Sequence, residues 1–393
     1  MFCLKYNLED YLLQIITGQR KGLRESIILF FLYVLEKVYL LLVYIRIFIY
    51  KIGLKKSKKL DCQVVSVGNI TVGGTGKTPM VSLLADKYKN NGFKVAVVSR
   101  GYKGDNSKVK VVSNGQKILI SKEDAGDEAF MLSQMLSGVP VVIGKDRYSA
   151  GKLAVKEFEP DLILLDDGFQ HWQLDRDREV VLIDAINPFG YMHLIPAGLL
   201  REPLTGLKRA DSIVITKANN VTEDNLKKIC NKLKYYNDKA VIYFARYQIK
   251  HIKIHCKGEN KCNNNEDDFL YNKDMQMDRE SNIAKTGVDF LVGKKVLAFS
   301  GIGNPISFGK SLEESDCYII DHLKFSDHYF YRDDDIKFII ERALTEKADI
   351  IITTEKDAAR LGREMIDHIL QGCTLAELSV SMQLINDDGM ITK

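Results

Sequence analysis

The sequence predicts an α/β protein: a P-loop NTPase-type, mostly parallel sheet with helices on both faces, a second smaller α/β domain, and an N-terminal membrane helix. Three observations carry this reading. Short β-branched runs alternate with helical patterns from QVVSVGNI onward, one of them leads into the glycine-rich stretch NITVGGTGKTP (Asn69 to Pro79), and an apolar run fills Ile27 to Tyr50. Strands that alternate with helices build a parallel sheet, and ligands sit at the carboxyl ends of its strands.

The apolar run, IILFFLYVLEKVYLLLVYIRIFIY, is long enough to cross a hydrocarbon core as a helix, but it contains Glu36, Lys37 and Arg46. Each large apolar side chain favours insertion by roughly 0.3–0.6 kcal/mol, whereas a mid-span charge costs about 2.5–3.5 kcal/mol, so the balance lies near zero. A spanning helix, a helix embedded in the interface and a buried core helix all remain open. Lys51, Lys55, Lys56, Lys58 and Lys59 follow at once, and such a basic cluster predicts the cytoplasmic face and anionic lipid. No cleavable signal peptide is expected, because Glu9 and Asp10 precede the run and no small-residue cleavage site follows it.

Next, QVVSVGNI reads as a strand and PMVSLLADKYKNNG as a helix closed by glycine, with the loop between them. KVAVVSRGY, PVVIGKDR, EPDLILLDDG, EVVLIDA and DSIVITKA continue the strands. The expected domains are an anchoring helix with its basic flank over 1–60, a P-loop core over 61–220 and a smaller α/β domain over 221–393. In the last of these, KKVLAFSGIGNP, CYIIDHLKF and ADIIITTEKDAARLG repeat the strand-then-turn pattern, and a polar insertion or extended surface loop is expected at about 251–285.

The 393 residues carry 56 basic and 52 acidic side chains, a net +4 that argues against nucleic acid as a partner. The seven scattered cysteines suggest reduced thiols in a cytoplasmic setting. Cys256 and Cys262 lie near His251 and His255, but their C-x5-C spacing is not a common zinc pattern.

The glycine loop departs from G-x-x-x-x-G-K-[ST], because Thr71 stands where the first glycine is expected. The backbone of Thr71, Val72, Gly73, Gly74, Thr75 and Gly76 is nevertheless suited to cradle a phosphate. Lys77 would bridge the β and γ phosphates and Thr78 would place a hydroxyl on Mg²⁺. Against this stands a helix-capping turn with a solvated lysine. DLILLDDG delivers Asp166 and Asp167 from a hydrophobic strand, as a Walker B carboxylate requires, although a turn aspartate looks the same locally. Asp127 and Glu128 open a helical pattern, where carboxylates favour the helix dipole, and His328 lies among aromatic residues.

SVGNITVGGTGKTP, VVSRGYKG, AGDEAFML, LLDDGFQH, PAGLLREPL, GIGNP, FSDHYFY and TTEKDAARL occur in this order. With these motifs the sequence closely resembles the tetraacyldisaccharide 4'-kinases, membrane-bound enzymes that phosphorylate a lipid A precursor. The resemblance covers about Val64 to Leu361, and the family's loop carries threonine at the position of Thr71. It implies ATP and Mg²⁺ as cofactors and transfer of the γ-phosphate to the 4'-hydroxyl of a tetraacyldisaccharide 1-phosphate. Lys77 and Thr78 match the P-loop pair, Glu128 and Asp166 the metal carboxylates, and Asp127 with His328 the pair that activates the sugar hydroxyl. Asp167, Gln170 and His171 match residues lining the site, with Arg100, Arg147 and Arg201 as further contacts to phosphate or disaccharide. It also implies the cytoplasmic face of the inner membrane, with the lipid surface and acylated disaccharide as partners and no obligate protein partner. A GTPase is the main rival, but TKAN (Thr216 to Asn219) lacks the carboxylate of the guanine-reading NKxD.

Overall fold

The computed structural model describes residues 8–102, 104, 108–256, 276–278, 283–303, 305–326 and 329–385. The chain forms two compact units, Met1–Arg246 with Leu384–Lys393, and Tyr247–Gln383.

In the first unit the strands are β1 (Gln63–Asn69), β2 (Val95–Ser99), β3 (Lys110–Ser113), β4 (Val141–Ile143), β5 (Leu162–Asp166), β6 (Arg178–Asp184), β7 (Ser212–Thr216) and the start of β8 (Val241–His255). Their order is β3-β4-β2-β5-β1-β6-β7-β8, all parallel except the edge strand β3. β2, β5 and β7 are buried along their whole length, as strands covered on both faces must be. One face packs Val181, Ile183, Ile213 and Ile215 against Ile229 and Leu233, and the other packs Ala96, Val98, Ile163 and Leu165 against Ala150 and Ala154.

The first unit extends beyond the boundary expected at residue 220. The helix Glu223–Tyr236 fills the sheet face with Ile229 and Leu233, and Val241–Phe244 pair with β7, so both belong to the first core.

Helix Leu23–Lys51 runs for 29 residues and is long and apolar enough to cross a membrane. Only 11 % of its most apolar window is buried, which excludes a core helix. Leu32 and Glu36 are buried and Tyr39 and Leu40 pack against the sheet's core, whereas Phe30, Phe31, Leu35, Leu41, Leu42 and Phe48 are exposed. The spacing of Leu32, Glu36, Tyr39 and Leu40 puts them on one side of the helix.

The second unit contains the end of β8, β9 (Gln276–Asp278), β10 (Ile283–Thr286), β11 (Lys295–Ser300), β12 (Tyr318–Lys324), β13 (Ile350–Thr354) and all but the last residue of β14 (Leu375–Leu384). β11 pairs in parallel with β12 and β13, and β13 with β14. The polar segment expected at about 251–285 begins and ends as strand, because His251–His255 alternates buried Ile252 and Ile254 with polar residues and pairs with β10. Residues 257–275 and 279–282 of that segment lie outside the described residues. Cys62, Cys230, Cys317 and Cys373 are free, but Cys256 is disulfide-bonded, which corrects the expectation of a wholly reduced chain; its partner lies outside the described residues.

Candidate active site

β1 runs directly into the glycine loop, and Asn69 at its end donates from Nδ2 to Thr75 Oγ1 at 2.8 Å, tying the start of the loop to its close. Positive φ falls on Gly73 (118°) and Gly76 (90°), not on Thr71. Thr71 instead forms an antiparallel bridge with Leu200, while the Val72 N–H donates to the Leu199 carbonyl at 2.7 Å. The departure from the template is therefore harmless: the residue at 71 needs extended backbone, which a β-branched side chain favours. The helix Lys77–Asn90 starts at the loop, its first turn presents N–H groups that precede intrahelical bonding, and Pro79 lacks one where none is needed.

Two side chains brace the loop from β7. Thr216 Oγ1 donates to the Thr75 carbonyl at 3.0 Å, and Lys217 Nζ donates to the Gly74 carbonyl at 3.2 Å while paired with Asp184. As a local pattern TKAN does not mark this role, since the loop carbonyls it braces lie more than 140 residues earlier in the chain.

β5 lies beside β1, with Asp166 paired in register with Val67, so the strand order delivers its carboxylate next to the loop. Asp166 is buried, Ser99 Oγ donates to its Oδ2 at 2.9 Å, and its Oδ1 has no hydrogen-bond partner. Burial, then the charges of Glu128 and Asp167, push its carboxyl up to about 6. Asp167 turns in the left-handed region at φ 52°. Burial raises its carboxyl, but Lys77 and Arg201 more than offset this and hold it below the usual range. Lys77 Nζ lies 3.7 Å from Asp167 Oδ1, and Arg201 Nη1 donates to the two carboxylate oxygens at 2.7 and 3.0 Å.

The following Gly168–Trp172 segment lies against β1 so closely that a Cβ on Gly68 would meet the Phe169 nitrogen at 2.7 Å. Gln170 Nε2 donates to the Asn69 carbonyl at 2.8 Å and to Glu202 Oε1 at 2.9 Å. The buried Glu202 also accepts from Arg209 Nη2 at 2.9 Å, and the Arg209 guanidinium covers the Phe169 and Trp172 rings. Arg176 Nη1 donates to the Gly168 and His171 carbonyls at 3.2 and 2.7 Å. Glu202, Arg209 and Arg176 were missed in the sequence; Glu202 and Arg209 act through the distant Gln170 and Phe169, whereas Arg176 bonds carbonyls within eight residues, and no motif marks any of the three.

His171 is pushed down to about 4 by burial and then by Arg147 and Arg176, so at neutral pH it is an uncharged imidazole, and its Nε2 is buried without a partner. Arg147 is buried at the start of its helix and donates from Nη1 to the Gly144 carbonyl at 3.0 Å. Burial lowers its guanidinium to about 10, while Asp166 and Asp167 act to raise it. Arg100 is exposed just past β2. Asp127 and Glu128 open the helix Asp127–Met135, and Lys122 Nζ lies 3.6 Å from Asp127 Oδ1.

The tetraacyldisaccharide-1-P 4'-kinase family model matches residues 28–392. The chain belongs to this family. A tetraacyldisaccharide 4'-kinase from Halothermothrix orenii is 42 % identical over 371 residues, covering 93 % of this chain and 92 % of the relative. One from Elusimicrobium minutum is 36 % identical over 358 residues, covering 90 % and 87 %. The crystal structure of the "apo" form LpxK from Aquifex aeolicus in complex with ATP is 29 % identical with a TM-score of 0.65, covering 94 % of this chain and 96 % of that one.

In the second unit of this family member, buried Asp357 gathers three of the motifs. It accepts from the Gly301 N–H and the Tyr331 hydroxyl at 3.1 Å, from Arg360 Nη1 at 3.1 Å and from Thr354 Oγ1 at 2.7 Å. GIGNP, FSDHYFY and TTEKDAARL are thus tied to one carboxylate. His328 lies outside the described residues. Among the described residues no group of three His, Cys, Asp or Glu side chains can enclose a metal, and Cys262 is not among them.

Proposed function

We propose that the Thr71–Thr78 loop binds the phosphates of ATP with Mg²⁺, and that the surrounding residues transfer the γ-phosphate to the 4'-hydroxyl of a tetraacyldisaccharide 1-phosphate. The chain is a kinase of lipid A biosynthesis by its family. The observation that carries the metal assignment is Asp166, whose buried Oδ1 lacks a partner and whose carboxyl is pushed up to about 6 beside Glu128. A divalent cation suits that pair, and Mg²⁺ takes its remaining ligands from phosphate and water rather than from a closed protein cage. Thr78, Glu128 and Asp166 would hold it, and when bound it neutralises charge on the phosphates.

The protein's own part is positioning and charge. Lys77 reaches the β and γ phosphates, and the loop's backbone holds them in line with the acceptor. The 4'-oxygen attacks the γ-phosphorus as the bond to the bridging oxygen of ADP breaks. The hydroxyl proton passes to Asp127, assisted by His328. Neutral His171 and Gln170, with Asp167, Arg100, Arg147 and Arg201, line the substrate side, where cations suit a sugar phosphate.

The apolar outer face of Leu23–Lys51 rests in the lipid surface, with the lysine cluster from Lys51 to Lys59 on the cytoplasmic side of the inner membrane. With Glu36 and Tyr39 turned onto the protein, the outer face favours embedding over spanning.

Acyldisaccharide 1-phosphate and labelled ATP in detergent micelles test the reaction directly. Label should move to lipid, and its absence with ATP still bound would sink the kinase assignment for this chain. Asp127→Asn and His328→Ala should each lower turnover by about 10²–10⁴-fold, the range of a general base, with ATP affinity within about threefold. Near-normal turnover in both variants removes the proposed pair.

A further inference from the structure

We propose that helix Leu23–Lys51 is a positioning element of the active site as well as an anchor: Glu36 and Tyr39 fix the Leu194–Arg201 segment and, through it, the P-loop. The observations lie within the first unit and do not depend on how the helix meets lipid.

Glu36 is 3 % exposed. Its Oε1 accepts from the Leu194 N–H at 3.0 Å, and its Oε2 lies 3.2 Å from His193 Nδ1. A carboxylate buried on a largely apolar helix is costly unless hydrogen-bonded. Here its partner is the backbone of a particular loop. One turn on, the Tyr39 hydroxyl donates to the Arg201 carbonyl at 2.8 Å. Further along, Arg46 Nη2 donates to the Gln170 carbonyl at 2.8 Å, although this contact is exposed.

The clamped loop is internally closed. Ile195 N–H donates to the Leu200 carbonyl, Leu200 N–H to the His193 carbonyl and Gly198 N–H to the Leu194 carbonyl, at 3.0, 3.0 and 2.9 Å. Its far side is the antiparallel neighbour of the P-loop's first residues: Thr71 bridges Leu200, Val72 N–H donates to the Leu199 carbonyl, and Arg201 N–H donates to the Ile70 carbonyl at 2.8 Å. Arg201 in turn holds Asp167. A continuous chain of bonds therefore joins the helix to the phosphate cradle and to the Asp167 carboxylate. This explains why an apolar helix keeps a glutamate and a tyrosine at these two places, which anchoring alone does not require.

The test uses the full-length protein in detergent with both substrates saturating. Glu36→Leu removes both acceptors and should lower kcat at least about tenfold, whereas Glu36→Gln, whose amide oxygen still accepts from Leu194, should stay within about threefold of wild type. Tyr39→Phe, which deletes one oxygen, should lower kcat about three- to fivefold with an unchanged melting midpoint. On the opposite face, Leu41→Gln should weaken co-sedimentation with anionic vesicles and leave kcat in detergent unchanged. Wild-type kcat in Tyr39→Phe together with wild-type kcat in Glu36→Leu overturns the proposal. If Glu36→Leu does not fold, Tyr39→Phe alone decides it, because so small a deletion lowers kcat without lowering the melting midpoint only through positioning.

Discussion

Lys77→Ala is expected to lower phosphoryl transfer by at least ~10²–10³-fold, the cost of deleting one preorganised donor from a charge-developing site. The side chain is well placed for such a role: it is 12 % exposed and held 3.7 Å from Asp167 Oδ1. Its loss should leave the fold standing. Asp167 keeps the two Arg201 bonds at 2.7 and 3.0 Å, and the loop's shape rests on Asn69, Thr216 and Lys217 rather than on Lys77. Lys77→Arg should not rescue activity, since a planar fork on a longer reach does not replace a compact ammonium between two phosphates. Initial rates of label transfer and a melting curve check the pair of outcomes. Transfer within tenfold of wild type would remove Lys77 from the phosphate site.

How much of this was legible beforehand depended on whether the determinant was local. The strand, glycine loop and helix from Gln63 to Asn90 follow from β-branched runs and turn residues, and the structure forms them there. Thr71 looked like a defect because the template does not record which positions need positive φ; Gly73 and Gly76 carry it. The braces were not legible. Lys217 with Gly74, Glu202 with Gln170, and Glu36 with Leu194 join residues far apart in sequence, and nothing in their local patterns distinguishes them from surface charges. The end of β8 resembles a polar loop in the sequence because its alternation, with Ile252 and Ile254 inward, is short and sits in a charged neighbourhood. Glu36 weighed against a membrane helix in the sequence; in the folded unit it faces protein, so the cost of placing it in hydrocarbon does not arise.

Asp166→Asn separates stability from activity most sharply. The carboxyl is pushed up from 3.8 to about 6, chiefly by burial and then by Glu128 and Asp167. Its folded value lies above its unfolded one, so its contribution to stability is fully present below about pH 4 and is lost as pH rises through about 6. At about 1.4 kcal/mol per pH unit, the metal-free protein at pH 7.5 carries a penalty on the order of 3 kcal/mol from this one group. A cation at the site relieves that penalty, so MgATP should raise the melting midpoint more at pH 7.5 than at pH 5. Asparagine is nearly isosteric and uncharged. The metal-free variant should therefore melt at or above wild type at pH 7.5, lose most of the Mg²⁺-dependent part of its stabilisation by ATP, and transfer phosphate about 10³-fold more slowly. Melting curves from pH 5 to pH 8, with ATP and with or without Mg²⁺, measure all three. A metal increment that is the same at both ends of the range in wild type, or that survives in Asp166→Asn, would move the cation away from this carboxylate and leave its burial beside Glu128 without a purpose.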